Sequence, residues 1–369
     1  MAVICNTVGR AQAVYQALKA YFPEIAPDGE PELDLLHARF RHDERQRREH
    51  RSLRRFGKEG TIVHAGDDTD VPVSRPHRAV LVATQVIEQS LDLDFDLMIS
   101  DPAPVDLLLQ RSGRLHRHDR ADRPGSLSAP RLWIVRPSVT GDVPTFDGGT
   151  AAVYDGHVLL RSWLVLRNVS TISIPGEVER LIAFVYDAAL RCPEDASTSL
   201  RNRWATTEEE QRTIIEKHGA LARRVLILPP DHPDDVFEGP NWELEEDDPK
   251  AHESIQALTR LGDLRVQVVC LTPEEAEGLS VSTPPDWERA VWLLRRSVAI
   301  ADRRITKDLL GWPVPSSWRR SPLLRHHRLV ELDAIGERTV GSYRIRLDPE
   351  LGISIGRVDE DGGRHGSEV

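Results

Sequence analysis

The first 137 residues predict an open parallel α/β sheet with flanking helices, followed by a mainly helical stretch and a small mixed α/β unit. Three observations predict this class. Short apolar runs alternate with segments of helical periodicity, the pattern that builds parallel sheets. The runs "RAVLVAT" (78–84) and "FDLMIS" (95–100) are apolar without alternation, as strands covered on both faces are. Beyond the Pro/Gly-rich break "RPSVTGDVPTFDGGT" (136–150) the strand signal gives way to helices.

Taken in order, "AVICNT" (2–7) is a short apolar run with β-branched residues, predicted as a strand. "GRAQAVYQALKAYF" (9–22) places Val14, Leu18 and Phe22 on one helical face. "LDLLHA" (33–38) predicts the next strand, and an arginine-rich helix follows from Asp43 to Phe56. "RAVLVAT" and "FDLMIS" are strands, "VDLLLQRSGRLHRH" (105–118) a helix and "RLWIV" (131–135) the last strand of the unit. Past the break, "AVYDGHVLLRSWLVLR", "GEVERLIAFVYDAAL" and "TTEEEQRTIIEKHGALARRVL" predict three helices. The acidic, proline-bearing stretch 229–250 predicts a surface loop without a core of its own. The final unit holds strand-like "LRVQVVCL" (264–271), a helix "WERAVWLLRRSVAI" (287–300) and closing strands "YRIRL" and "GISIG". The expected domains are therefore 1–137, 138–250 with the acidic loop, and 251–369.

A net charge of −11 argues against a protein that coats nucleic acid, so any polyanion site must be a local patch. Only five of the 48 basic residues are lysine, so a single arginine says little and only patterned arginines carry weight. Three widely spaced cysteines support neither a disulfide framework nor a zinc site. No apolar run approaches the ~20 residues that span a bilayer, and a cytoplasmic location without membrane association is expected.

One pattern stands out. "LLLQRSGRLHRHDR" (107–120) sets Arg111, Arg114 and Arg117 three apart around Gly113. A guanidinium is flat, permanently charged and forked, suited to bidentate phosphate recognition. The helix that carries the three is expected to begin just past the C-terminal end of a parallel strand, where open sheets bind ligands. Gly113 would let a ligand or backbone approach closely. The rival reading is a solvated helix whose arginines pair with Asp119 and Asp122.

The segment "VATQVIEQSLDLDFDLMISDPAPVDLLLQRSGRLHRH" (82–118) resembles motifs five and six of superfamily-two helicases, the last of which reads Q/H-R-x-G-R-x-x-R. "VICNTVGRAQAVYQAL" resembles motif four, and "HARFRHDER" an adjoining arginine-bearing segment. The wording is similar to one family: the CRISPR-associated helicase-nuclease recruited by the type I surveillance complex. The resemblance covers residues 3–136 strongly and the remainder more faintly. It implies that 1–137 is a second RecA-like domain, that 138–250 is a linker and that 251–369 is an accessory domain.

By that resemblance Arg114 and Arg117 would be arginine fingers for an ATP γ-phosphate, with Gln110 and Arg111 beside them and Asp92 on the ribose. Asn6, Thr7, Thr84 and Arg39 would lie near the nucleic-acid backbone. The implied cofactor is ATP with Mg, shared with a first RecA-like domain, and no metal is expected to be held by this chain alone. The implied partners are single-stranded DNA, the front half of the helicase-nuclease and the surveillance complex. No phosphate loop, acidic metal box or HD ligand set occurs in the 369 residues, so the chain alone is expected neither to hydrolyse ATP nor to cut DNA. An inactive truncated module that binds nucleic acid or the surveillance complex, and a different superfamily-two helicase, are the alternatives.

Several tempting matches fail. "FGKEG" (56–60) lacks the G-x-x-x-x-G-K-[ST] spacing. "HDER" (42–45) opens a helix where an acidic box would end an apolar strand, and "HRHD" (116–119) lacks the further ligands of an HD phosphohydrolase. The basic run 39–58 fits a phosphate track and a solvated helix equally well. Trp287, Trp292, Trp312 and Trp318 fit buried anchors better than stacking platforms.

Overall fold

The computed structural model describes residues 1–22, 25, 29–58, 62–64, 70–89, 91–224, 264–279 and 282–358. They fall into two compact units, Met1–Leu190 with Leu264–Val369, and Arg191–Asp263. The acidic stretch 229–250 lies outside the described residues, as do Glu59 and Gly60 of "FGKEG".

The first unit opens with β1 (Ala2–Ile4), α1 (Val8–Lys19), β2 (Leu33–Leu36) and α2 (His42–Phe56), then the hairpin β3 (Ile62–His64) and β4 (Asp70–Pro72). It continues with β5 (Val80–Ala83), α3 (Val86–Gln89), β6 (Leu97–Ser100), α4 (Val105–Ser112) and β7 (Arg131–Ile134). The expected sheet forms: five strands in the order β2-β5-β1-β6-β7, with every pair parallel. Strands β2 and β5 are buried on both faces, which explains their unbroken apolar runs, whereas the edge strand β7 is largely exposed. Leu81, Ala83, Ala2, Ile4 and Met98 face Phe56, Ile87 and Phe95. Val80, Val82, Leu33 and Leu35 face Ala11 and Tyr15 of α1 and Phe40. Thr7 caps α1 by accepting from the Arg10 N–H. α2 has no side-chain cap, but Asp43 and Glu44 in its first turn and Arg54 and Arg55 in its last match the helix dipole.

The arginine-bearing helix is shorter than its sequence predicts. α4 ends at Ser112, and the Gly113 N–H closes onto Leu109 O at 3.0 Å. The chain then turns to lie beside the approach to β6, where Phe95 N donates to Arg114 O and His116 N donates to Phe95 O. That bridge replaces further helical turns. Only Arg111 of the three arginines is helical, and a side chain at Gly113 would meet nothing but its own helix, Gln110 O at 3.3 Å and Leu109 O at 3.7 Å.

The break after β7 contains a hairpin, β8 (Ser138–Thr140) and β9 (Val143–Thr145), turned at Gly141 with φ +63°. Helices α5 (Gly148–Val153), α6 (Gly156–Leu166) and α7 (Val178–Tyr186) follow; Asp147 and Asp155 cap the first two. In the second unit the described residues form the helix α8 (Thr198–Arg224).

The C-terminal part of the first unit contains β10 (Val266–Leu271), α9 (Pro273–Ala276), α10 (Trp287–Arg295), β11 (Ser297–Ile300) and α11 (Arg303–Leu310). It ends with β12 (His327–Glu331), β13 (Glu337–Val340), β14 (Tyr343–Asp348) and β15 (Gly352–Arg357). One sheet is mixed, β11-β10-β12, and the other antiparallel, β13-β14-β15. "SVAI" (297–300) is thus a strand and not the end of a helix: it pairs antiparallel with β10 and buries Val298 and Ile300. Trp318 is fully buried as an anchor, whereas Trp287 is 64% exposed. No described helix is long and apolar enough to cross a membrane.

The basic run 39–58 is engaged inside its own unit. Arg39 reaches Asp302 at 2.7 Å, Arg41 reaches Glu275 at 2.7 Å, and Arg48 reaches Asp34 at 2.7 Å and Glu44 at 2.8 Å. Arg51 and Arg54 both hold Glu30. Most of these guanidiniums tie the residues around β2 to carboxylates elsewhere in the unit, so the run is chiefly an internal fastening. Arg39, expected near a nucleic-acid backbone, is one of its ties.

The same seam brings β15 against residues 37–40. Ile353 N donates to Arg39 O at 2.8 Å, and Gln12 donates to Leu351 O and Ile353 O. Gly352 permits this approach: its φ is +67°, and a Cβ would lie 2.7 Å from Arg39 O and 2.9 Å from Phe40 Cδ1. Gly352→Ala is expected to cost about 2–4 kcal/mol, from left-handed strain together with overpacking, read as a lowered urea midpoint.

His37 titrates at this seam. It is fully buried, donates from Nε2 to Leu351 O and accepts at Nδ1 from the Arg39 N–H. Only the neutral ring makes both bonds. Burial, and next the Arg39 charge, push its pKa down to about 3 from 6.5. The unfolded chain therefore binds more protons between those values, so this stability is complete above about pH 6.5 and is lost as pH falls towards 3. The expected loss is about 1.4 kcal/mol per pH unit from this group. His327, lowered mainly by burial to about 4, adds to the loss in the same direction. His37→Gln, which cannot titrate, is expected to flatten the decline in melting temperature between neutral pH and mild acid.

Candidate nucleotide and nucleic-acid site

The strand ends and the post-α4 loop share one polar network, with Arg111 at its centre. Arg111 is fully buried. Its Nε donates to Glu88 Oε1 at 2.8 Å and its Nη1 to Ser100 Oγ at 2.7 Å and Asp101 O at 3.3 Å. Its Nη2 donates to Tyr154 OH at 3.1 Å and Asn6 Oδ1 at 3.4 Å. Burial raises the Glu88 carboxyl above its ordinary range against the opposing pull of Arg111. Expected beside the nucleotide, Arg111 instead spends its donors inside the protein.

Arg114 and Arg117 leave the network on the loop side. Arg114 is 9% exposed and donates from Nη2 to the backbone carbonyl of Glu88 at 2.8 Å. Burial, and then the neighbouring Arg117 charge, lower its pKa. Arg117 is exposed and pairs with Asp92, which also faces His118 Nε2 at 3.3 Å. Burial raises the Asp92 carboxyl, but the bond from Arg117 and the charge of His118 outweigh this and hold it below the ordinary range. Arg117 therefore pairs with Asp92 and not with Asp119 or Asp122; the ion pair to Asp122 comes from Arg120. Gln110 is exposed on α4.

The loop that follows is fastened from beneath. Asp94, fully buried, accepts from the Arg117 N–H, Arg75 and Arg123. Asp96 pairs with Arg123 at 2.6 Å and lies 3.7 Å from both Arg75 and Arg120. This clamp fixes the backbone of Arg117 while leaving its side chain in solvent. His116 takes a positive φ of 47° in the same turn.

The expected nucleic-acid contacts separate. Asn6 is buried and spent on its own chain: its N–H donates to Asp101, its Nδ2 donates to Pro102 O and Thr150 Oγ1, and its carbonyl accepts from Gln85. Thr84 is buried at the end of β5, with its N–H on Leu36 O. Thr7 is half-buried at the N-terminus of α1, two residues before Gly9, where an added Cβ would meet nothing within 4 Å. Arg39 is placed at the seam with Asp302, apart from these.

The sequence reading missed Glu88, Asp94, Asp101 and Tyr154. The first three sit inside the motif segment 82–118 as carboxylates beside apolar residues, which is a legible signal. Tyr154 gave none. Among the described residues no group of three or more His, Cys, Asp or Glu side chains is placed to hold a metal.

Comparison with known proteins relates the chain to one family. Residues 1–120 match the family model described as CRISPR-associated nuclease/helicase Cas3, C-terminal, and residues 260–353 match the Cas3 C-terminal domain. The curated "CRISPR-associated endonuclease/helicase Cas3" of Thermus thermophilus is 36% identical over 337 residues, covering 86% of this chain and 34% of that protein. A solved structure titled "Crystal structure of CRISPR-associated protein" superposes with TM-score 0.85 at 48% identity, over 96% of this chain and 38% of its own. "Crystal structure of T. fusca Cas3-ADP" gives TM-score 0.71 at 31% identity, over 96% and 38%. "CRISPR RNA-guided surveillance complex, pre-nicking" contains a chain with TM-score 0.69 at 30% identity, over 96% and 40%. The chain thus spans about a third of the length of these relatives.

Proposed function

From the premise that this chain belongs to the Cas3 family, as part of its C-terminal half, we propose that it forms the second wall of an ATP cleft in a CRISPR-associated DNA helicase. The observation that carries this reading is the pairing of exposed Arg117 with exposed Asp92, beside Arg114, on a loop braced by Asp94 and Asp96. A cation held at a fixed backbone position, its tip tied only by an exposed pair that can be exchanged, suits a phosphate that arrives from another domain. Arg114 and Arg117 would then neutralise charge that develops on the phosphoryl oxygens, an effect worth roughly 10³–10⁵ in rate. Asp92, released from Arg117, would accept from the ribose hydroxyls, and exposed Gln110 would border the nucleotide.

Arg111 takes a different part: buried on Glu88, it positions the loop and touches no ligand. The polar ledge at the ends of β1 and β5 would face single-stranded DNA, chiefly through Thr7 and the exposed helix start behind it. Magnesium, when bound with ATP, would supply charge neutralisation at the phosphates from the side of the first RecA-like domain. The surveillance complex that accompanies the solved relative is the proposed larger partner.

The test is reconstitution. This chain is mixed with a P-loop-bearing RecA-like domain of the same helicase-nuclease, and ATP hydrolysis is measured with and without single-stranded DNA. Turnover that needs both polypeptides and rises with DNA is expected. A mixture no more active than its parts would overturn the reading in favour of a binding module without turnover.

A further inference from the structure

One member of the Arg111 network comes from outside the strand–loop–helix segments to which the proposed function assigns chemistry. Tyr154 is the C-cap of α5, and the next residue, Asp155, caps α6, so both flanks of its backbone are fixed. Its hydroxyl accepts from Arg111 Nη2 at 3.1 Å and Gln85 Nε2 at 3.2 Å, and donates to Asn6 Oδ1 at 3.4 Å. A phenolic hydroxyl has one proton and two lone pairs, so these three contacts fill it.

The partners belong to two different places. Asn6 and Gln85 stand past the C-terminal ends of β1 and β5. Arg111 holds the side chain of Glu88, whose carbonyl holds Arg114. The hydroxyl of Tyr154 therefore joins the strand-end ledge to Arg114 of the arginine loop through three hydrogen bonds, by way of Arg111 and Glu88. Without this oxygen, Arg111 Nη2, fully buried, keeps only its 3.4 Å contact to Asn6 Oδ1, and Gln85 Nε2 keeps only Asn6 O.

We infer that Tyr154 is a positioning residue that couples the strand-end ledge to the arginine loop. The inference rests on the proposed function in taking the ledge as the nucleic-acid side and the loop as the nucleotide side. The relevant variant is Tyr154→Phe, which keeps the ring and deletes the bridging oxygen.

Amide hydrogen exchange on the full chain reads the coupling without any activity. Exchange is expected to quicken by about fivefold or more at both 85–88 and 111–117, the scale of a typical coupling, with exchange in the C-terminal sheets unchanged. Quickening at one segment alone, at neither, or only alongside general destabilisation would overturn the inference. Reconstituted ATP turnover gives the second reading: the ratio of turnover with a thymidine oligonucleotide to turnover without it falls about fivefold or more. Equal stimulation in both proteins also overturns the coupling. Absence of turnover in the wild type overturns the proposed function instead, and the exchange result then decides the coupling by itself.

Discussion

Arg114→Ala is expected to lower reconstituted ATP turnover by about 10³-fold or more while barely moving the melting temperature. The first part follows from the role proposed for it, since a finger guanidinium acts where phosphoryl charge develops and its loss falls on kcat. The second part follows from its contacts. Arg114 donates to a backbone carbonyl, Glu88 O, and pairs with no carboxylate among the described residues. Removing it strands one acceptor, a net cost of about 1 kcal/mol. Arg117→Ala should behave alike in turnover, and its exposed pair with Asp92 contributes little to stability. A loss of turnover matched by an equal loss of folded protein would show a structural arginine and not a finger.

Arg111→Ala should do the reverse. Its guanidinium is fully buried against Glu88, itself buried, and its loss leaves a carboxylate with no countercharge in a dry site. Breaking one partner of such a pair costs about 3–5 kcal/mol. The melting temperature should therefore fall steeply before any assay of turnover is meaningful. Arg111→Lys is expected to rescue only in part, because one ammonium cannot serve Glu88, Ser100, Asn6 and Tyr154 together. A stable Arg111→Ala protein with weakened nucleotide binding would return Arg111 to the nucleotide side, where the sequence alone placed it.

Three arginines at identical spacing thus have three different environments, and the reason lies beyond local pattern. Spacing and motif identify the loop and its neighbours on β5 and β6, because those signals are carried by contiguous residues. What separates Arg111 from Arg114 is the end of α4 at Ser112, set by the bridge between Phe95 and Leu115. That is a pairing between segments twenty residues apart, and helical periodicity runs straight through it. The same limit explains "SVAI", where apolar spacing continues past Arg295 and Arg296 although β10 recruits the segment as a strand. The parallel sheet was legible for the converse reason: burial on both faces writes itself into strands such as β2 and β5, although the edge strand β7 is largely exposed.

Charge was the least legible property. The run 39–58 reads as a phosphate track or a solvated helix, and it is chiefly neither, because its partners Asp34, Glu275 and Asp302 are distant in sequence or unremarkable in it. Tyr154 is the extreme case. Its ring and hydroxyl carry no pattern, and it meets Asn6 only across 148 residues of chain.

The most direct measurement is a structure of the reconstituted pair with a non-hydrolysable ATP analogue. Arg117 should have left Asp92, and Arg114 the carbonyl of Glu88, with both guanidiniums within hydrogen-bond reach of the γ-phosphate and Arg111 still on Glu88. A triphosphate bound with Arg114 and Arg117 both in their present places would contradict the account.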